Sequence, residues 1–222
     1  MRNAIVILLT TCSMSVSAQS FVGIKGGLSF TNVSSSNFFE DTGSLNRFSG
    51  GFTYEYFLTD KHALGVDLIM NQSGFISDLV FTDNQANPTG KKVAVDFTYT
   101  YLSLPIKTGL YFGQTFRAFA NIGVVPSVLT RAKTIVPAYT IDGVDNPGST
   151  VDVTEQVNRF DFAGLLEIGG NYKATDKLWI VSSLICQYSF TTLTNADYFS
   201  ESKVRHYGLT LSFGVKYRVG RN

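Results

Sequence analysis

Two histidines, two cysteines and seventeen acidic residues are the groups in this chain best suited to ligate a metal, attack a carbonyl or move a proton. Their spacing assembles no familiar chemistry. The sequence contains no H-E-x-x-H, G-x-S-x-G, P-loop or C-x-x-C. His62 and His206 fall at opposite ends of different predicted strands, which argues against a shared metal site. Cys12 lies in a segment expected to be removed. Cys186 stands alone in an apolar stretch and reads as a small apolar filler rather than a reactive thiol. Asp142-Gly143-Val144-Asp145-Asn146 has the oxygen content of a calcium loop, but Asp-Gly and the following Asn146-Pro147 are ordinary turn chemistry. The expectation is therefore no catalytic residue, no cofactor and no metal. Any chemistry must come from how charged side chains are grouped by the elements that carry them.

Those elements belong to an unusual composition. Of 222 residues, 16% are charged, whereas about 25% is usual for a soluble domain. Eighteen Phe and eleven Tyr stand against one Trp. A 44% apolar content with net charge +1 excludes a disordered chain, and two cysteines exclude a disulfide scaffold. At the N-terminus, Met1-Arg2-Asn3, the apolar run Ala4–Leu9 and Val16-Ser17-Ala18 have the order of a secretory signal peptide with cleavage after Ala18. Thr11 before Cys12 departs from a lipid-attachment signal. Residues 1–18 are read as this leader and 19–222 as a single domain. The mature part carries equal numbers of basic and acidic residues, which gives no reason to expect a nucleic-acid partner. No later stretch is apolar for long enough to cross a membrane as a helix, so any span must be made of strands.

The dominant pattern has period two. From Tyr207 to Val219 every odd position is Tyr, Leu, Phe or Val, and every even one is Gly, Thr, Ser, Lys or Arg. That alternation predicts a strand with two unlike faces, long enough for a tilted membrane crossing of roughly 9–11 residues. The same alternation recurs around 22–31, 48–58, 64–71, 102–112, 118–124, 162–172 and, less cleanly because of Val181 and Ile185, 178–190. Connections alternate between polar gaps at about 33–46, 74–96, 131–158 and 191–204 and tight turns at Thr59-Asp60-Lys61, Gly113-Gln114-Thr115 and Ala174-Thr175-Asp176. The expected fold is all-β: an eight-stranded antiparallel up-and-down transmembrane β-barrel with long extracellular loops and short periplasmic turns.

Alternation alone does not say which face meets solvent. The non-apolar face is mostly Gly, Ser, Thr and Asn, too sparsely charged for a wall in water but suited to the inside of a narrow barrel. Apolar residues are thus expected to point outward at lipid. Tyr54, Tyr56, Tyr99, Tyr101, Tyr111, Phe112, Tyr172, Tyr188, Tyr207 and Tyr217 are expected to form interface girdles. Tyr101-Leu-Ser-Leu-Pro-Ile-Lys-Thr-Gly-Leu-Tyr-Phe-Gly113 followed by Phe119-Ala-Asn-Ile-Gly-Val-Val-Pro-Ser127 resembles the central motif of the Bacteroidetes-type outer-membrane β-barrel family, whose members are labelled porin-like or PorT-like. Gly23–Ser29 and Leu211–Tyr217 resemble its first and last strands, and the likeness covers the whole mature chain. It implies the fold and an outer-membrane location, and says little about function. Some outer-membrane barrels are acylhydrolases with His-x-Ser on a strand; here His206-Tyr207-Gly208 places Gly at the nucleophile position, so no enzyme is expected.

Eight strands enclose a space just wide enough for side chains. Lys25, Glu55, Asp67, Lys107 and Glu167 share the inward face at similar height, with Lys216 slightly lower. They are expected to pair into a charge layer that plugs the lumen, because pairing makes such charges tolerable away from water. The leading functional reading is a structural or interaction protein, monomeric, embedded in outer-membrane lipid and meeting an extracellular protein or glycan through four loops. A small-solute porin, a component of a secretion or gliding apparatus and a soluble lipocalin-like binder are the alternatives.

Overall fold

The computed structural model describes residues 19–35, 42–82, 85, 87–141, 143–195 and 203–219; the leader read at 1–18 lies outside them. The strands are β1 (Gln19–Ser35), β2 (Thr42–Phe57), β3 (His62–Thr82), β4 (Pro88–Ser103), β5 (Ile106–Phe112), β6 (Phe116–Val136), β7 (Tyr139–Ile141), β8 (Val144–Asn146), β9 (Ser149–Asp152), β10 (Phe160–Lys173), β11 (Leu178–Ser189) and β12 (Val204–Val219). β4 and β5 are the two halves of one stave. Both pair with β3 on one side and β6 on the other. The path β1-β2-β3-(β4/β5)-β6-β10-β11-β12 returns to β1, so eight antiparallel staves close a barrel. Closure removes every free edge along the wall, as a lipid environment requires.

The interruption between β4 and β5 falls at Leu104-Pro105. Proline has no N–H to donate. The ladder is carried across by Leu104 N–H donating to Pro126 O and Asp67 N–H donating to Pro105 O, both at 2.9 Å. The side-chain phase survives, with Leu102, Leu104, Ile106 and Leu110 all exposed.

Neighbouring residues settle the orientation of the faces. Phe52, Ile122 and Phe213 are 66%, 61% and 57% exposed, whereas Thr53, Asn121 and Ser212 beside them are 4%, 5% and 4%. Apolar side chains face out and polar ones face in, the inverse of a soluble barrel. A lipocalin-like reading is thereby overturned. The girdle expectation needs a correction. Tyr54, Phe112, Tyr172, Tyr188, Tyr207 and Tyr217 face outward and Tyr56 is half-buried, but Tyr99, Tyr101 and Tyr111 are buried inside the barrel. They share odd parity with Ser103 and Lys107, and the pleat leaves them no other direction.

The gaps at 74–96 and 131–158 are also shorter than expected, while the strands flanking 191–204 end at Ser189 and begin at Val204. β3 and β4 continue as a paired ribbon through 74–80 and 92–98. β6 runs to Val136 and is flanked there by β9, with Lys133 opposite Asp152. Strands beyond the membrane meet water on their faces and lose the apolar stripe, so composition there resembles loop. The Asp142–Asn146 segment contributes the β7–β8 hairpin. Gly143 takes φ +80 in its turn and Thr140 Oγ1 donates to Asp145 at 2.6 Å; Asp142 lies outside the described residues. Two of the short turns share one device. Thr59 Oγ1 accepts from the N–H groups of Lys61 and His62, and Thr175 Oγ1 accepts from those of Lys177 and Leu178. The third uses Gly113 at φ +105.

Candidate functional site

The inward residues form three layers. Nearest the short turns, Phe21, Phe57, Tyr111, Phe119 and Trp179 pack with Ala63 and Val181. Tyr111 stacks on Phe119 at 5.3 Å, Phe57 meets Tyr111 edge-on at 4.8 Å, and Phe21 meets Trp179 at 5.9 Å. Val181, which blurred the alternation of its strand, is inward because it completes this layer. The Arg117 guanidinium lies beneath it, 5.5 Å from the Phe57 ring and 5.1 Å from that of Trp179.

The charged layer comes next. Lys107 Nζ lies 2.8 Å from Glu167 and 3.0 Å from Asp67. Lys25 bonds Asp67 and lies 3.8 Å from Glu167. These four form one cluster. Lys216 pairs separately with Glu55 at 2.6 Å and reaches Asn171 at 3.3 Å. Asn121 and Ser183 donate to the two oxygens of Glu167 at 2.9 Å each. The structure therefore brings all six sequence-predicted residues into ion pairs inside the barrel, four as a quartet and Lys216 with Glu55 as a pair against the aromatic layer. Three lysines balance three carboxylates, so the layer carries no net charge.

Cross-strand glycine makes room for the lysine stems. Lys25 stands between Gly51 and Gly214, and Lys107 between Gly65 and Gly123. A Cβ at Gly65 would lie 2.9 Å from Lys107 Cε, and one at Gly214 would lie 2.9 Å from Lys25 Cβ. The Lys107 stem thus lies over the bare backbone of Gly65 instead of standing into the centre.

Above the charges is a cavity of about 40 Å³ bordered by Lys25, Asn71, Ser103, Gln187, Thr210 and Ser212. The third layer then fills the barrel toward the long hairpins: Phe75, Tyr99, Tyr101, Leu129, Val157, Leu193 and Val204. Phe75 and Phe97 stack at 4.7 Å. Asp161 accepts hydrogen bonds from Ser189 and Thr191 at 2.9 and 2.6 Å.

His206 sits in this third layer against Tyr99 and Tyr101, with ring centroids 5.1 and 6.1 Å away, and neither ring nitrogen has a hydrogen-bond partner. A buried polar group left unpaired is destabilising, and its replacement by an apolar group of similar size removes that cost. His206→Leu is therefore expected to stabilise the barrel by about 1–2 kcal/mol in urea titrations of the folded protein in vesicles. A destabilised variant would mean that a hydrogen-bond partner fills the site in solution.

The remaining candidates stay apart. His62 is exposed at the opposite end of the barrel, Cys186 is exposed on the outer wall, and Gly208 stands beside Thr31. Among the described residues no three His, Cys, Asp or Glu side chains are grouped to hold a metal. Outside the membrane, hydrogen bonds from the Thr154 hydroxyl and N–H hold the Asp152 carboxyl below its ordinary range. That turn keeps its ionised acceptor as the pH falls, until Asp152 itself is protonated. Residues not named as members of the charge layer from the sequence, namely Arg117, Asn121, Asn171, Ser183 and the aromatic layer, all carry the inward parity of their strands.

The family match agrees with this architecture. The model of the outer membrane protein beta-barrel domain family matches residues 17–195. No curated protein matches the sequence. Among solved structures, the outer membrane protein OprG from Pseudomonas aeruginosa is similar at 12% identity, with 91% of this chain and 97% of that chain covered and a TM-score of 0.50. Neisserial surface protein A is similar at 14% identity, covering 88% and 96%, with a TM-score of 0.45. Ail, the attachment invasion locus protein of Yersinia pestis, is similar at 13% identity, covering 90% and 99%, with a TM-score of 0.39. Closed ring, outward apolar face and family match coincide: the chain belongs to the outer membrane protein beta-barrel domain family and is a protein of the outer membrane.

Proposed function

We propose that this protein is a closed, monomeric barrel that holds extracellular hairpins in place for contact with another protein or a glycan, and that it passes no solute. The observation that carries the reading is the filling of the lumen at three heights. The aromatic layer, the neutral charge layer and the upper apolar layer succeed one another, with a cavity of about 40 Å³ between the latter two. That cavity is a water-sized space rather than a channel. The β3–β4 ribbon, the β7–β8 hairpin and β9 stand on the rigid wall, where binding variation concentrates.

The motif from Tyr101 to Gly113 carries the narrower resemblance to porin-like and PorT-like barrels, and with it a place beside a secretion or gliding apparatus. In planar bilayers the purified protein is expected to give no steady conductance step above background. A stable open level of porin size would overturn the closed-lumen reading.

A further inference from the structure

Below the aromatic layer the barrel opens into a vestibule of about 690 Å³ at its short-turn end. Its wall carries Lys61, Arg117, Lys173 and Arg218, with Asp60 as an acid of the same wall and Trp179 at the floor. These cations have a common origin in the strand pattern. Arg117, Lys173 and Arg218 each continue the inward parity of their strand beyond the charge layer, two residues from Phe119, Asn171 and Lys216 respectively. Lys61 comes from the β2–β3 turn. Asp176 lies 2.7 Å from Lys173, so among the described residues two acids face four bases, a surplus of two positive charges.

Arg117 is the group that turns this from a charged rim into a site. Its Cζ lies 5.5 Å from the Phe57 ring centroid and 5.1 Å from that of Trp179, two contacts that restrain it, and its Nε is buried against them without a hydrogen-bond partner. A guanidinium restrained beside two rings, with three further cations lining the same vestibule, matches the several oxygens and double charge of a phosphate better than a single carboxylate.

We propose that the periplasmic vestibule binds a phosphate-bearing anion, either soluble phosphate or the headgroup of an anionic phospholipid in the adjacent leaflet. Arg117 supplies the oriented fork. Lys61, Lys173 and Arg218 supply the surrounding charge. The proposal does not depend on the lumen being closed, since the vestibule lies outside the aromatic layer.

Trp179 is the chain's one tryptophan and lies against Arg117, so its fluorescence reports the site directly. The full protein, folded in zwitterionic micelles, is titrated with inorganic phosphate, with phosphatidylglycerol against phosphatidylcholine as control, and with sodium chloride at matched ionic strength. The expected result is a saturable change with phosphate or phosphatidylglycerol that chloride and phosphatidylcholine do not give. Arg117→Gln is expected to weaken it about tenfold, the worth of a lost charge-assisted hydrogen bond. Lys61→Gln, in an exposed turn that tolerates the change, weakens it less and keeps the test alive if Arg117→Gln fails to fold, which heat-modified gel mobility reveals. A response to phosphate alone assigns a soluble ligand, and one to phosphatidylglycerol alone assigns the headgroup. No saturable response to either, an equal response to chloride, or a response that both variants leave unchanged would overturn the site.

Discussion

Glu167→Gln is expected to cost the folded barrel about 3–5 kcal/mol, the penalty of breaking a buried ion pair by removing one partner. In the native protein Glu167 lies 2.8 Å from Lys107 and 3.8 Å from Lys25, and accepts from Asn121 and Ser183. Its neutralisation leaves two lysines to share Asp67 in a space with almost no exposure. The comparison that isolates the charge effect is the separate pair. Lys216→Met alone strands Glu55, whereas Lys216→Met with Glu55→Leu removes both charges. The double variant is expected to return to within about 1 kcal/mol of the parent, because a buried pair replaced by apolar residues of similar volume is often neutral. Urea titrations in vesicles read both. If Glu167→Gln costs under about 1 kcal/mol, the level of an exposed pair, the lumen is wet and the charges are solvated singly.

The layer's membership was legible in the sequence; its pairing was not. Each of the six residues falls on the polar parity of its strand, and counting from the short turns places five of them at similar height with Lys216 slightly lower. Which acid meets which lysine depends on register and stagger. Lys25 on β1 bonds Asp67 on β3, passing over β2 at Gly51, and no period-two argument contains that distance. The same parity rule, applied without exception, would have placed Tyr99, Tyr101 and Tyr111 inside, because they alternate in step with Ser103 and Lys107. Their aromatic character suggested the interface, and the pleat decided otherwise. The hairpin extensions were hidden for a different reason. A strand advertises itself by the contrast between two environments, and in 88–96 the outward face of Lys92, Ala94 and Asp96 carries no apolar stripe although Val95 on the other face is buried. Leu79 and Val80 there are exposed next to Asp78 and Thr82 without a lipid-facing stripe.

The inverted arrangement of faces has its own test. Leu211 lies in the middle part of β12, with Leu28 and Leu184 as its cross-strand neighbours, and it is exposed on the outer wall. In water a 42% exposed leucine would accept arginine at little cost. In the hydrocarbon core, Leu211→Arg is expected to cost about 2–4 kcal/mol. The control is Val144→Arg in the β7–β8 hairpin, where the side chain is 64% exposed beyond the membrane. That change is expected to stay within about 0.5 kcal/mol. Ser212→Arg does not serve as a neutral control. Ser212 borders the cavity of about 40 Å³, so an arginine there overfills the lumen. The measurement is again unfolding from vesicles, run with both variants in the same lipid. Bilayers with thinner hydrocarbon bring the interface closer to Leu211 and should reduce its penalty while leaving Val144→Arg unchanged. Equal costs at the two positions would mean that the wall around Leu211 does not face lipid, and the assignment of the faces would have to be reversed.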